Sequence, residues 1–492
     1  MSLGKHIFKV GAWTGISRIC GFVRDMLIAR VLGAGRLSDI FLTAFKLPNL
    51  FREIIGEGAF TSIFVPMFVE KNKQGQAQSE KFASTIFSWL MMILLVITIV
   101  CEILMPLIVL VFAPGFSDDP AKFQTTVLIS RIMFFYMIFI CGSAILSCVL
   151  NAFNQFALVA AVPILLNLFL IGGLLLASYL GAGANALYIL AAAVVLSGMV
   201  QLWILWGRLR RRKFGLRIIR PRITENIKTL GKRLGLGFIG SGFYQLNIII
   251  GTLIASYQSG AVSWLYYSDR IVQLPFAMIG LAAGTVLLTT VSQSIAHKQY
   301  DDIYKQQNSS VRNIMMLTIP CVVGLFVLAV PIIQYLFEYG AWTHESTIAV
   351  ASAIMIQALA LPAMTTSQIF NKTLYAAQDV KTPVKINSWA MLFSIAFMLA
   401  GFGFFGYLIV PISTVITGYI RNIFYRRACK RRDLWRAEPR TVRANVCFCA
   451  LAGILGAGLW FVPIGSIYAL GAAIAGFGVL YLPLALLINK KI

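Results

Sequence analysis

The stretch SRICGFVRD, residues 17–25, places Arg18, Arg24 and Asp25 inside a segment long enough to cross a bilayer. The next segment, SDIFLTAFKLPNLFREIIGEG, adds Asp39, Lys46, Arg52, Glu53 and Glu57, and WLYYSDRIVQLP adds Asp269 and Arg270. An ionised side chain at mid-bilayer costs between ~3 and ~15 kcal/mol by different measures, so these groups must face protein or water. Helical spacing allows that. Asp39, Lys46 and Glu53 recur every seven residues, with Glu57 one turn further, so they share one helix face. Arg18 and Asp25 share a face of the preceding helix. Two arrangements satisfy such charges. In the first they pair with one another: Arg24 with Asp39, Arg52 with Glu57, Asp269 with Arg270. In the second, Arg18, Arg24, Arg52 and Arg270, drawn from three spans, converge on a wet cavity, with Asp25, Asp39, Lys46, Glu53, Glu57 and Asp269 as the surrounding charge network. Guanidinium forks onto phosphate oxygens, stays charged at any physiological pH and tolerates partial desolvation. Converging arginines therefore call for an anionic cargo, and phosphate or diphosphate fits best. Arg131, Glu102 and Lys372 also sit in apolar segments, singly, and read as snorkelling or locally paired groups. Asp379, in YAAQDVKTP, reads as a helix cap or a weak cation ligand.

The elements that must hold these residues are set by composition. The chain has 492 residues, 59% of them hydrophobic, and a mean hydropathy of +0.82. Charged residues make up 12%, about half the ~25% usual in soluble domains. A soluble fold could not hide that apolar surface. The expected class is an all-α polytopic membrane protein. Fourteen spans are expected, near 7–31, 38–69, 84–112, 124–150, 157–180, 185–207, 234–256, 263–296, 313–337, 347–376, 383–402, 406–425, 443–463 and 467–489. The first, second and eighth are the least hydrophobic. The opening MSLGKHIFK is basic, but the residues after it are too polar for a cleavable signal.

A net charge of +24 would suggest nucleic acid in a soluble protein. Here the charge sits in short connections. GRLRRRKFGLRIIRPRITENIKTLGKR carries eleven Lys/Arg and one acid, and YRRACKRRDLWRAEPRTVR is similar. APGFSDDPAKF, LGAGANA, YQSGAVS and EYGAWTHES are nearly free of basic residues. The positive-inside rule then puts even-numbered connections and both termini in the cytoplasm. The chain also repeats. LTAFKLPNLFREIIGEGAF resembles SDRIVQLPFAMIGLAAGTV with one gap, and SCVLNAFNQFALVAAVP resembles KTLYAAQDVKTPVKI, at an offset of about 225 residues. The repeat predicts two pseudo-symmetric six-helix lobes, 1–207 and 234–426, joined by a basic linker at 208–233. A basic loop at 427–442 leads to two extra spans in 443–492. Parallel repeats of this kind place a site between them.

Other chemistries find little support. Eight cysteines include no CxxC pair, and the three histidines are scattered. No metal site and no cofactor is expected. The outward connections are too short for a catalytic domain, which weighs against a glycosyltransferase or ligase acting on polyprenyl substrates.

SRICGFVRD, DIFLTAFKLPNLFREIIGEGAF followed by FVP, WLYYSDRIVQLP and QDVKTPVK resemble the MurJ (MviN) family of bacterial lipid II flippases, within the multidrug/oligosaccharidyl-lipid/polysaccharide exporter superfamily. The resemblance runs through essentially the whole chain. It implies a transporter rather than an enzyme, moving undecaprenyl-diphosphate-linked peptidoglycan precursor from the cytoplasmic to the outer leaflet of the inner membrane by alternating access. It implies that Arg18, Arg24, Arg52 and Arg270 match the family's cavity arginines and Asp39 its important acid. Asp25, Glu57 and Asp269 match charged motif positions. It further implies that the last two spans form a groove for the lipid tail. A sodium site of some members would use Asp379, but the seventh span offers no second carboxylate. Coupling to membrane potential or a cation gradient, and contact with other cell-wall synthesis proteins, remain expectations. O-antigen or other polyprenyl-diphosphate oligosaccharide lipids are the competing cargo.

Overall fold

A computed structural model describes residues 3–56, 59–220, 228, 231, 245–281, 290–295, 297 and 300–491. Glu57 lies outside these residues, as do most of the linker beyond position 220 and the first half of the seventh expected span. The described residues form helices and no strand. In chain order they are α1 (Leu3–Leu32), α2 (Arg36–Gly56), α3 (Ala59–Lys73), α4 (Gln76–Phe112), α5 (Pro120–Phe134), α6 (Tyr136–Ala152), α7 (Phe156–Ala161), α8 (Ile164–Tyr179), α9 (Ala186–Arg211), α10 (Gln245–Ser256), α11 (Ala261–Pro275), α12 (Tyr300–Val327), α13 (Ala329–Phe337), α14 (His344–Ala358), α15 (Leu361–Ala376), α16 (Lys381–Phe405), α17 (Ile409–Arg431), α18 (Pro439–Trp460) and α19 (Ile467–Lys491).

By length and apolarity alone, eight helical stretches suffice to cross a membrane among the described residues, or nine if α14 and α15, bent by 42°, count as one. Fourteen separate crossings are not confirmed by that count. The physical reasons are local. Charges lower the hydropathy of α1 and α2, and α11 ends at Pro275 after 15 residues, too short to cross; these are the three spans expected to be weakest. The Gly406–Leu408 turn runs α16 and α17 into a single stretch of 51 residues. Only 245–256 of the seventh expected span is described.

The chain divides into two compact units. The first comprises 1–262 and Tyr339–Trp342; the second comprises Ser263–Glu338 and Thr343–Ile492. This division falls one span later than the repeat boundary at 234, so α10 belongs with the first unit.

The core of the first unit is aromatic. Phe60, Phe64 and Phe68, one turn apart on α3, stack at 5.3 and 5.7 Å, and Phe82 of α4 stacks on Phe64 at 5.8 Å. A second cluster joins Leu47, Leu94, Met105, Val109, Phe134 and Met137. Tight connections gather at one end. Gly33, at φ +71, ends α1, and its N–H donates to the Ala29 carbonyl at 3.0 Å. Ala341 N donates to the Arg30 carbonyl at 2.9 Å. Gly115 lies against the Tyr257 backbone so closely that a Cβ there would sit 2.5 Å from it.

In the second unit, α12 packs on α18 and α19 through Met316, Ile319, Phe448, Ala452, Phe477 and Tyr481. Asn422 of α17 reaches α15, donating to Thr366 Oγ1 at 2.8 Å and Ser367 Oγ at 3.1 Å. Such buried amide–hydroxyl bonds satisfy polar groups that hydrocarbon could not. Pro275 ends α11, and the helix continues through a π-helical turn, Phe276–Leu281.

Candidate functional site

α1 carries the first of the expected charges. Arg24 and Asp25 are adjacent in sequence and both buried. Arg24 Nε and Nη2 donate to Asp25 Oδ1 at 3.0 and 2.7 Å, and Arg24 Nη1 donates to Asn167 Oδ1 of α8 at 2.9 Å. Asn167 returns its own N–H to the Ser17 carbonyl at 3.1 Å. The guanidinium is thus held as a fork between a carboxylate and an amide, the geometry that lets an arginine stay charged inside a membrane protein. Arg18, on the same helix, is exposed and makes no hydrogen bond or ion pair among the described residues.

The heptad stripe of α2 is real, and its partners lie along one segment. Asp39 Oδ2 accepts from the Gly260 N–H at 2.8 Å. Lys46 Nζ donates to Thr252 Oγ1 at 3.0 Å. Glu53 Oε2 accepts from Gln245 Nε2 at 2.6 Å. Moving up α2 from 39 to 53 moves down the partner from 260 to 245, so α2 and α10 run antiparallel with their polar stripes matched. Asp39 also pairs with Lys122 at 2.9 Å, and both are essentially withdrawn from solvent. The Lys122 ammonium stands 3.9 Å from the Phe116 ring centroid, a cation–π contact. Arg52 Nε donates to Asn49 Oδ1 at 3.1 Å, and its Nη2 lies 3.9 Å from Glu53.

The charges of the second unit are differently held. Arg270 Nη2 donates to Tyr266 Oη at 2.9 Å, with the guanidinium 4.9 Å above that ring. Asp269 accepts from Gln357 Nε2 of α14. The pairing expected from sequence is thus replaced at two points. The partner given to Arg24 was Asp39, and the structure gives it Asp25. The Asp39 carboxylate belongs to Lys122. Sequence reading passed over Lys122 because it sits in the acidic connection APGFSDDPAKF. Its one signal there was being the sole base in that segment. Asn167, Gln245 and Thr252 carry no charge, so nothing in the sequence marked them.

Asp379 proves to be a cap. Its Oδ1 accepts from the Thr382 N–H at 3.0 Å, and Arg432 pairs with the same carboxylate. Burial alone would raise its pKa. The Thr382 bonds and the Arg432 charge together outweigh that and hold it below the usual carboxylate value. Among the described residues no group of three or more His, Cys, Asp or Glu could hold a metal ion.

Comparison with known proteins gives this arrangement a family. A family model described as "Lipid II flippase MurJ" matches residues 28–472. A "Probable lipid II flippase MurJ" of Rhizobium meliloti (strain 1021) is 35% identical over 463 residues, covering 94% of this chain and 86% of the relative. A "Lipid II flippase MurJ" of Burkholderia cenocepacia is 30% identical over 468 residues, covering 92% and 89%. Among solved structures, a lipid II flippase MurJ in an inward closed conformation shares the fold with a TM-score of 0.83 at 21% identity, covering 98% of both chains. An inward-facing multidrug-resistance MATE transporter of the MOP superfamily has a TM-score of 0.66 at 13% identity, covering 85% of this chain and 94% of that one. With arginines and carboxylates built into the helices α1, α2 and α11 of an otherwise apolar helical fold, and a match running through nearly its whole length, this chain belongs to the MurJ family of multi-pass membrane transporters.

Proposed function

We propose that the chain is a lipid II flippase of the bacterial inner membrane, with even-numbered connections and both termini in the cytoplasm. The observation that carries the reading is a set of arginines kept in otherwise apolar helices: Arg24 is forked between Asp25 and Asn167, while Arg18 on the same helix is exposed and holds no partner among the described residues. The cargo pairs a long apolar tail with a diphosphate head, and carrying that head through hydrocarbon unescorted would be prohibitive. Arginines along the path lower the barrier by replacing lost hydration with forked, charge-assisted bonds.

The roles divide by what each guanidinium already holds. Arg18, exposed and without a partner among the described residues, is the first to meet the diphosphate. Arg52, hydrogen-bonded to Asn49, exchanges that contact for a phosphate oxygen; within the second unit Arg270, held by Tyr266, supplies a further guanidinium. Arg24 is committed to Asp25 and Asn167, so it sets the field and the shape of α1. The acids weaken anion binding enough for release. A site of this kind, exposed to each side in turn, moves the head while the tail stays in lipid along α18 and α19. Membrane potential or a cation gradient supplies the bias.

Depleting the protein and assaying lipid II accessible at the outer leaflet tests the reading. Exposure falls on depletion and is restored by the wild-type chain. Arg18→Glu at normal abundance fails to restore it. Unchanged exposure on depletion overturns the proposal. Loss of exposure of a different polyprenyl-diphosphate oligosaccharide moves the cargo to that class.

A further inference from the structure

After α9 the chain does not leave the protein. Its backbone runs extended along α4, and four bonds fix it there. Gln76 Nε2 donates to the Lys213 carbonyl at 2.8 Å. The N–H groups of Gly215, Arg217 and Ile219 donate to Glu80 Oε1, Ser84 Oγ and Ser88 Oγ at 2.8, 3.1 and 2.9 Å. The helix positions are 76, 80, 84 and 88; the extended positions are 213, 215, 217 and 219. Four helical residues rise ~6 Å and two extended residues ~6.6 Å, so the two ladders stay in step. Gly215 lets the segment approach closely: a Cβ there would sit 2.8 Å from Glu80 Oε2, so that carboxylate would have to shift. Phe214 and Leu216 turn inward and are buried.

What this extended segment turns outward is Arg217, Ile218 and Arg220. Ile218 is 73% exposed. Between 208 and 220 there are seven Lys/Arg and no acid. Three of these arginines are occupied: Arg208 by Gln155, Arg210 by the Trp206 ring and Arg212 by the Phe153 ring. Arg211, Lys213, Arg217 and Arg220 are exposed, and their side chains make no hydrogen bond or ion pair among the described residues. Depth is set by α4. Its first outward apolar residues past Ser88 are Met92 and Ile93, 38% and 45% exposed, one turn or ~6 Å beyond the last of the four bonds. The segment therefore ends at the edge of the hydrocarbon, where phosphates lie.

We propose that this extended segment is a built binding edge for anionic phospholipid, with Arg217 and Arg220 on the headgroup phosphate and Ile218 in the acyl boundary. A free basic tail would be drawn to the same leaflet diffusely. Clamping to α4 removes the entropy of ordering and fixes the two arginines one to each side of an apolar wedge. The proposal is independent of the cargo.

Native mass spectrometry of the full chain, released from micelles containing equal phosphatidylglycerol and phosphatidylcholine, tests it. The wild-type chain retains phosphatidylglycerol preferentially. Arg217→Gln/Arg220→Gln lowers that retention by about five-fold per arginine. Ser84→Ala/Ser88→Ala lowers it too, although no charge is lost. Lys430→Gln/Arg431→Gln, which removes the same charge after α17, leaves it within about two-fold. Equal loss in that control, or wild-type retention in either of the other two variants, overturns the proposal. So does displacement of the lipid by equimolar inorganic pyrophosphate, which would make the surface a reader of free phosphate. A melting temperature matching the wild type certifies each variant, and Ile218→Ser, altered only at an outward position, gives a second loss-of-retention reading.

Discussion

Lys122 and Asp39 show how an ion pair is tolerated where lipid surrounds the fold. Both are buried, and the carboxylate also accepts the Gly260 N–H. Removing one partner strands the other. Lys122→Met is expected to destabilise the chain by about 3–5 kcal/mol, while the double change Lys122→Met/Asp39→Asn recovers a large part of that loss. Thermal unfolding in detergent measures both. Asp379 gives a prediction in pH. Its folded-state pKa is depressed, so its stabilisation is complete above the ordinary aspartate value near 4. It is lost as pH falls from there through the lower folded value. Melting temperature should fall less steeply with acid in Asp379→Asn than in the wild type, over that window.

At the scale of elements, the α2 stripe was legible in the sequence because a seven-residue period on a helix is a geometric statement. Its partner was not. Gln245 and Thr252 are heptad-spaced on α10, but polar uncharged residues at that spacing are common in membrane helices that line nothing. Gly115 makes a sharper case. Its new methyl would meet backbone atoms of Tyr257, which cannot rotate away. Gly115→Ala should cost about 1–3 kcal/mol or more by overpacking, whereas Gly172→Ala, with nothing within 4 Å, should be neutral or slightly stabilising. Denaturation midpoints of the two variants, compared side by side, decide this.

For the whole molecule, the charge bias of the connections makes a prediction about sidedness. In a cysteine-free background, Ser117→Cys should react with a membrane-impermeant maleimide added outside spheroplasts, and Lys73→Cys only after permeabilisation. Both positions are exposed, so burial does not confound the comparison. The reverse pattern would invert the topology. The two compact units also divide at 262/263 rather than at the repeat boundary. The α2 stripe explains the difference: its polar bonds to Gln245, Thr252 and Gly260 hold α10 and the turn after it to the first unit.

Composition alone established that this chain lives in a membrane, because it reflects the cost of leaving apolar groups in water or polar ones in lipid; hydrophobic run length placed the strongly apolar helices but did not fix the number of crossings. Residue type and period marked the charges that must be shielded. Which group shields which was decided by the tertiary structure. Arg24 takes Asn167, Asp39 takes Lys122, and the basic linker takes a row of helix side chains, since such partners are set by helix neighbours 83 to 143 residues apart in sequence. Local periodicity contains no information about neighbours so distant; only packing brings them into contact.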